Sequence, residues 1–198
     1  MLFHAKKILA SLPLIIGIGL ILSSGYILSR LFHDPIKQEI GYMIRTTKTD
    51  TSITPPNTDF AIVIDKIGAS SSVIQSVDPY DSQVYQMALR DGVAHANGTK
   101  LPGEGGNIFF FAHSSADLLT AERYNSVFYL MHHLDTGDVI KVWKDGKEYD
   151  YAVTRKLTVS PSDTKYLTMN DKTETLTLMT CWPPGTTLKR LIIIAKPI

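Results

Sequence analysis

Val139-Ile140-Lys141-Val142-Trp143-Lys144-Asp145-Gly146-Lys147-Glu148-Tyr149-Asp150-Tyr151-Ala152-Val153 decides the fold class. Two alternating runs rich in Val, Ile, Tyr and Trp flank Asp145-Gly146, and an Asp-Gly between such runs predicts a β-hairpin. Strand-type sequence extends outward on both sides. Phe60-Ala61-Ile62-Val63-Ile64 opens it, and Asn107-Ile108-Phe109-Phe110-Phe111-Ala112 is a buried-type run between Gly106 and a polar loop. Further strands are predicted over 155–159, 175–180 and 191–196. Helical periodicity is confined to about 81–90 and 118–129. Seven or eight short strands with few helices predict an all-β fold, a barrel with short helical insertions.

The 198 residues, 44% of them hydrophobic, suit one domain with a real core plus a short extra segment. The formal charge is +1, its excess carried by the N-terminal Lys6, Lys7 and Arg30. No basic stripe with interleaved aromatics is present, which excludes the usual nucleic-acid-binding classes. Residues 8–28 carry no charged side chain, matching the roughly 20 residues that span a bilayer core. With Lys6 and Lys7 ahead of the run, the N-terminus is expected in the cytoplasm and the body outside the cell membrane. A cleaved signal peptide is the rival; its apolar region is normally about 7–15 residues, and Ser23-Ser24-Gly25 makes a poor exit site. Residues 29–57 turn polar and Thr-rich and end in Ile53-Thr54-Pro55-Pro56-Asn57, the composition of a stalk with a stiff end. A short helix over 35–45 continuing the anchor is compatible with that reading. The expected division is a cytoplasmic tail at 1–7, a single transmembrane helix at 8–28, a stalk at 29–57 and the main folded domain at 58–198.

Chemistry enters with the single cysteine. Cys181 closes Thr177-Leu178-Met179-Thr180-Cys181, with Arg190 nine positions on. One cysteine excludes a disulfide scaffold and the cysteine-rich zinc patterns. In an exported chain it is inert, intermolecular or reactive. Acyl transfer by a thiol needs a sulfur that reaches the thiolate, an acid/base for the leaving amine, and a donor aimed at the developing oxyanion. Cys181, His113 and Arg190 supply one of each. Each also has a structural alternative: a buried inert thiol, an edge histidine, a solvated surface charge. Trp182-Pro183-Pro184-Gly185 is expected to stop the strand at the cysteine, the strand-end position where sites sit on β scaffolds. His113 has the same placement after the 108–112 run. His95, in the turn-rich Gly92-Val93-Ala94-His95-Ala96-Asn97-Gly98, is its rival. His132-His133 are sequence neighbours whose side chains should diverge, arguing against a shared metal. Side chains alternate along a strand, so only one of Lys189 and Arg190 can face Cys181. Trp182 reads as a packing residue.

Several segments, in order, resemble the sortases, membrane-anchored cysteine transpeptidases of bacterial surfaces. They are Gly92-Val93-Ala94-His95, then Gly98-Thr99, Leu101-Pro102-Gly103-Glu104-Gly105-Gly106-Asn107 and Phe111-Ala112-His113-Ser114. Val159-Ser160-Pro161-Ser162-Asp163 with Leu167, then Thr177 to Cys181, and Arg190 complete the series. The resemblance covers nearly all of residues 60–198. It implies a closed eight-stranded sortase-type β-barrel and assigns the catalytic histidine to His113. It further implies that surface proteins with a C-terminal Leu-Pro-x-Thr-Gly-like sorting signal are the substrates, and that a cell-wall peptide or pilin lysine is the amine acceptor. Cys181 would form the thioacyl intermediate, His113 move protons, Arg190 bind the oxyanion or substrate backbone, and Thr180 support that site.

Two features depart from or qualify the pattern. Asp65 stands in Ile64-Asp65-Lys66-Ile67-Gly68 where the family often has Pro, and the Cys181-to-Arg190 loop looks closer to the class C, D and E types than to class A. No dense acidic cluster lies near residues 156–174, so no metal and no cofactor are expected. A different enzyme, an L,D-transpeptidase, has a Ser-x-Gly-Cys-x-Arg core, but the positions after Cys181 are Trp182 and Pro183. A catalytically inactive surface scaffold or adhesion module is the non-enzymatic alternative.

Overall fold

The computed structural model describes residues 2–46, 52–114, 126–169 and 173–198, which fall into two compact units, Met1–Lys37 and Gln38–Ile198. The first unit is helical, and helix α1 spans Leu2–Thr46. The side chains described within 13–29 are mostly apolar and exposed, Leu14 at 66% and Ile21 at 72%. Among the described residues no helix is long and apolar enough to cross a membrane. The short helix expected over 35–45 is present as the last part of α1, so residues 29–46 are helical.

The second unit contains eight strands: β1 Phe60–Ile64, β2 Ala69–Val77, β3 Val93–Ala96, β4 Asn107–Phe111, β5 Val139–Lys144, β6 Lys147–Val159, β7 Thr175–Trp182 and β8 Lys189–Pro197. Their order is β1-β2-β3-β4-β7-β8-β6-β5, and β1 pairs with β5 to close the barrel. The β5–β6 hairpin forms where Asp145-Gly146 predicts it. Asp145 has φ 51° and Gly146 φ 80°, the two positive values that match a turn to the strand twist. The ladder then runs from Lys144↔Lys147 to Val139↔Ala152.

Three sequence expectations change. The runs at 148–153 and 155–159 are one strand, β6, because β8 pairs with it from Tyr151 to Val159, across the boundary, and a register shift between Val153 and Arg155 absorbs the irregularity. Strand β7 does not stop at Cys181 but runs to Trp182, paired with Lys189. The ladder can extend that far because Pro183, not Trp182, is the first residue without an N–H. Strands β2 and β3 lie in Ser-rich and Gly/Asn-flanked sequence that does not read as strand. Pairing with β1 and β4 supplies what their composition lacks.

Helix α2, Ser82–Asp91, connects β2 to the parallel β3, as the 81–90 periodicity predicts. Asp81 caps it, its carboxylate accepting from the Gln83 and Val84 N–H groups. Gly92 then passes so close to β2 that a Cβ there would sit 2.3 Å from the Ser72 carbonyl oxygen. The helix expected over 118–129 lies largely outside the described residues. Tyr129–His133, at its end, is a 3₁₀ turn.

Strands β4, β7 and β8 lie side by side, and their two faces differ. On one, Ile108, Phe110, Leu176, Leu178, Ile193 and Ala195 are fully buried and adjacent in register. A large side chain of this kind contributes about 1.5–3 kcal/mol by leaving water. The opposite face ends in the candidate site.

Candidate active site

Strands β4 and β7 run parallel with a constant offset, Asn107↔Thr175 through Phe111↔Met179. The ladder continues one residue past β4, where the Ala112 N–H donates to the Met179 carbonyl at 3.2 Å. The Thr180 hydroxyl then donates to the Ala112 carbonyl at 2.8 Å, across the same separation of 68 positions. Strand β4 ends at Phe111, and extending the same offset through Ala112 by one more residue sets His113 opposite Cys181. On the other side of β7, the antiparallel ladder pairs Cys181 directly with Arg190. His113, Cys181 and Arg190 therefore occupy one transverse row across three neighbouring backbones, each about 4.8 Å from the next. Residues in register share a face, so the three side chains emerge on the same side of the sheet.

That side is accessible at the row and covered elsewhere. His113, Cys181 and Arg190 are half-buried, whereas Thr180 is 2% exposed and, in register with Leu191, belongs to the opposite face. Thr180 is thus joined to the row through the Ala112 carbonyl, a bond that fixes the end of β4 against β7. The parity argument for the basic pair is met in the ladder: Arg190 lies opposite Cys181, and the exposed Lys189 lies opposite Trp182. The guanidinium is tethered to its own loop, Arg190 Nη1 donating to the Thr187 carbonyl at 3.2 Å and the Lys189 carbonyl at 3.1 Å. The β7–β8 loop is a tight turn in which the Thr186 N–H and hydroxyl both bond the Pro183 carbonyl, at 3.0 and 2.8 Å.

His95 occupies a different environment. It pairs with Phe110 across β3 and β4, hence on the face opposite His113, and it is 2% exposed between the rings of Phe60 and Phe110. Its Nδ1 accepts from the Ser76 N–H at 3.3 Å. That leaves the proton on Nε2, which faces the Lys100 carbonyl at 3.1 Å and the Thr99 hydroxyl at 3.0 Å. Burial holds this imidazole below its ordinary pKa. His95 is a satisfied core histidine.

Sequence reasoning passed over two supports and marked a third, Asp65, without assigning it a partner. Glu174, just before β7, accepts from the Gly103 and Gly105 N–H groups at 2.9 and 3.1 Å and from the Tyr151 hydroxyl at 2.6 Å. It fastens the glycine-rich turn ahead of β4 to the start of β7, while burial and that carboxylate keep the Tyr151 phenol protonated. Asn107 donates to the Tyr166 carbonyl at 2.9 Å and accepts from Thr177 at 2.8 Å, tying the β6–β7 connection to both strands. Asp65 uses the place where the family often has Pro to accept from the Ile53 N–H at 2.8 Å and to pair with Lys141 at 2.9 Å. Each is an isolated polar residue whose partner is distant in sequence, so no local pattern marks it.

The expected divergence of His132 and His133 does not occur. Their ring centroids are 4.0 Å apart on the 3₁₀ turn, and both face Glu39. A 3₁₀ turn followed by an extended residue does not impose the opposed directions of a strand. Burial, and then the neighbouring His133, hold His132 below the usual imidazole pKa. The His132 ring also lies 5.2 Å from that of Trp182, the residue after Cys181.

A thiol, an imidazole and a guanidinium in one row can provide a nucleophile, a proton carrier and an anion donor. Residues 62–198 match the sortase domain. The chain belongs to the sortase family. It is 28% identical over 138 residues to sortase D of Bacillus subtilis (strain 168), a match covering 68% of this chain and 61% of that protein. The chain thus spans about three-fifths of that relative's length. Sortase A from Corynebacterium diphtheriae aligns with a TM-score of 0.59 at 25% identity, covering 72% of this chain and 61% of that one. A Clostridium perfringens sortase D5 transpeptidase (TM-score 0.56, 24% identity, 81% and 88% covered) and a pilus-related sortase C of Group B Streptococcus (0.60, 22%, 76% and 76%) share the fold. These relatives span classes A, C and D. Sortases are cysteine transpeptidases.

Proposed function

We propose that this sortase is a membrane-anchored transpeptidase acting on surface proteins with a Leu-Pro-x-Thr-Gly-like sorting signal. The Cys181 thiolate attacks the carbonyl of the signal's Thr, and the Arg190 guanidinium stabilises the oxyanion that develops. As the C–N bond breaks, His113 gives its proton to the leaving amine and Cys181 keeps the acyl group as a thioester. An amine acceptor, a cell-wall peptide or a pilin lysine, then attacks that carbonyl. Its proton passes to His113, the S–C bond breaks, and the thiolate is restored. Thr180 holds the β4 end, and with it His113, in place. The pairing of Cys181 with Arg190 across β7 and β8, with His113 set opposite Cys181 just past the end of β4, supports this reading.

Residues 8–28 form the single span, with 1–7 in the cytoplasm, 29–57 as the stalk and 58–198 as the extracellular catalytic domain. The uncovered apolar side chains at 14–28 support the anchor, since outside a bilayer each would stand in water at a cost of roughly 25 cal/mol per Å².

The test uses the full-length chain in detergent, incubated with Leu-Pro-x-Thr-Gly-like and Leu-Ala-x-Thr-Gly-like peptides, followed by intact-mass spectrometry with and without an amine. The expected result is an adduct on Cys181 that moves to the amine and is absent from Cys181→Ala. An adduct released to water alone would mark a hydrolase. Absence of any adduct, with a thiol that alkylates only slowly, would leave a surface scaffold.

A further inference from the structure

Glu39, His132 and His133 bring three metal-ligating side chains, two imidazoles and a carboxylate, to one point outside the row described above. Glu39 Oε2 lies 3.0 Å from His133 Nε2 and Glu39 Oε1 lies 3.5 Å from His132 Nε2. The ligand atoms of the three residues all fall within 4.8 Å of one another. Two bonds of about 2.1 Å meeting near the tetrahedral angle place their donor atoms roughly 3.3–3.4 Å apart. The two carboxylate-to-imidazole distances, one to each Glu39 oxygen, bracket that spacing, and the third edge lies within 4.8 Å, so a modest contraction around an ion completes the face.

We propose that Glu39, His132 and His133 form a binding site for a borderline divalent transition metal of the zinc type, two imidazoles and a carboxylate with the fourth position open to water.

The surroundings are organised as such a site requires. His132 Nδ1 lies 3.1 Å from the Tyr129 carbonyl. A bond there puts the ring proton on Nδ1 and leaves the Nε2 lone pair directed at Glu39, the outer support that metal-binding histidines generally have. The His133 ring is fixed by stacking on Tyr42, centroids 4.0 Å apart and planes within 15°. Tyr42 and Glu39 are three residues apart on α1 and so share a helix face. One turn of helix thereby grips both histidines. The 3₁₀ turn is held from behind by Lys156, which donates to the His132 carbonyl at 2.9 Å and pairs with Asp135 at 3.1 Å. That ion pair offsets the charge of Lys156.

Occupancy would join residues 38–46 of α1 to the 3₁₀ turn as a clip. Because the His132 ring lies against Trp182, the clip would also fix the flank of Cys181 without taking part in acyl transfer. The inference does not depend on the transpeptidase reading.

The test is titration of the full-length chain in detergent with Co²⁺, read by visible absorption and competed with Zn²⁺, in the native protein and in Cys181→Ala. The expected result is one saturable site per chain that survives Cys181→Ala and shows no sulfur-to-metal charge-transfer band. Glu39→Gln and His133→Ala should each weaken it by more than the about 10- to 100-fold that loss of an outer support costs. Zn²⁺ should raise the melting temperature of Cys181→Ala and leave that of the Cys181→Ala/Glu39→Gln pair unchanged. Glu39 is over a third exposed, so its substitution puts little strain on the fold. Binding that disappears with Cys181→Ala, or persists in both Glu39→Gln and His133→Ala, overturns the proposal. So does the absence of saturable binding, which would leave the cluster an ordinary histidine–carboxylate hydrogen-bond pair.

Discussion

His95 stands on β3 and His113 just past the end of the adjacent β4, and the face each occupies separates their fates. His95 pairs with Phe110 and is enclosed, with both ring nitrogens committed to backbone groups. His113 lies two residues beyond Phe111, the last residue of β4, and the extended register carries it to the opposite face, in the row with Cys181 and Arg190. A shift of one in strand parity separates a packing residue from a candidate acid/base. Residue type sets what a side chain can do, and register decides whether it has the opportunity.

The sharpest way to break this comparison is to remove each ring in turn. His113→Ala is expected to lower kcat/KM for transpeptidation by about 10²- to 10⁴-fold, the usual worth of a general acid/base, with the melting temperature nearly unchanged. His95→Ala is expected to do the reverse. It opens a cavity beside Phe60 and Phe110 and strips the Ser76 N–H and Lys100 carbonyl of a partner, at about 1–3 kcal/mol for each buried group left unsatisfied. Its turnover per folded molecule should stay within severalfold of native. If the two variants lose activity alike while both stay folded, the face argument is wrong.

The same parity rule applies on the other side of β7, with a somewhat smaller expected effect. Arg190→Ala should cost about 10²- to 10³-fold in kcat, the loss typical of one oxyanion donor, and Lys189→Ala should barely register. Single-turnover thioacylation separates the two from any effect on product release. Equal losses at both positions would mean that the β7–β8 ladder does not set which cation serves the sulfur. Arg190→Lys is informative as well: a lysine there retains charge but loses the planar fork, so only partial recovery is expected.

How much of this was legible in the sequence follows from the range of each signal. The β5–β6 hairpin could be read because Asp145-Gly146 and its alternating flanks carry the whole instruction within a few residues. Cys181, His113 and Arg190 could be picked out because each sits at a strand end next to loop-forming residues. Strand β2 could not, since Ala69-Ser70-Ser71-Ser72 has little strand propensity and becomes a strand by lying between β1 and β3. The Glu174 clamp, the Asn107–Thr177 bond and the grouping of Glu39 with His132 and His133 join residues separated by about 70 to 95 positions. Pattern reading has no access to pairs at that range. Thr180 shows the subtler failure: the motif marks it as important, while its hydroxyl is spent on the Ala112 carbonyl.

The smallest expected effect concerns the proton on His95. Its Nδ1 accepts from Ser76, so protonation would set two N–H groups against each other, and burial lowers the pKa in the same direction. A group whose folded pKa lies below its unfolded value of about 6.5 contributes stability that is fully present above that pH. The contribution is lost as pH falls toward the folded pKa, because the unfolded chain takes up the proton first. For one histidine the slope cannot exceed about 1.4 kcal/mol per pH unit. Urea unfolding of the native chain should therefore show declining stability from pH 7 to pH 5.5, and His95→Gln should show a shallower decline. Some slope should remain in the variant, since burial lowers the His132 pKa in the same sense. Identical slopes would mean that the ring of His95 can take a proton without leaving the core, and the contrast with His113 would then rest on position alone.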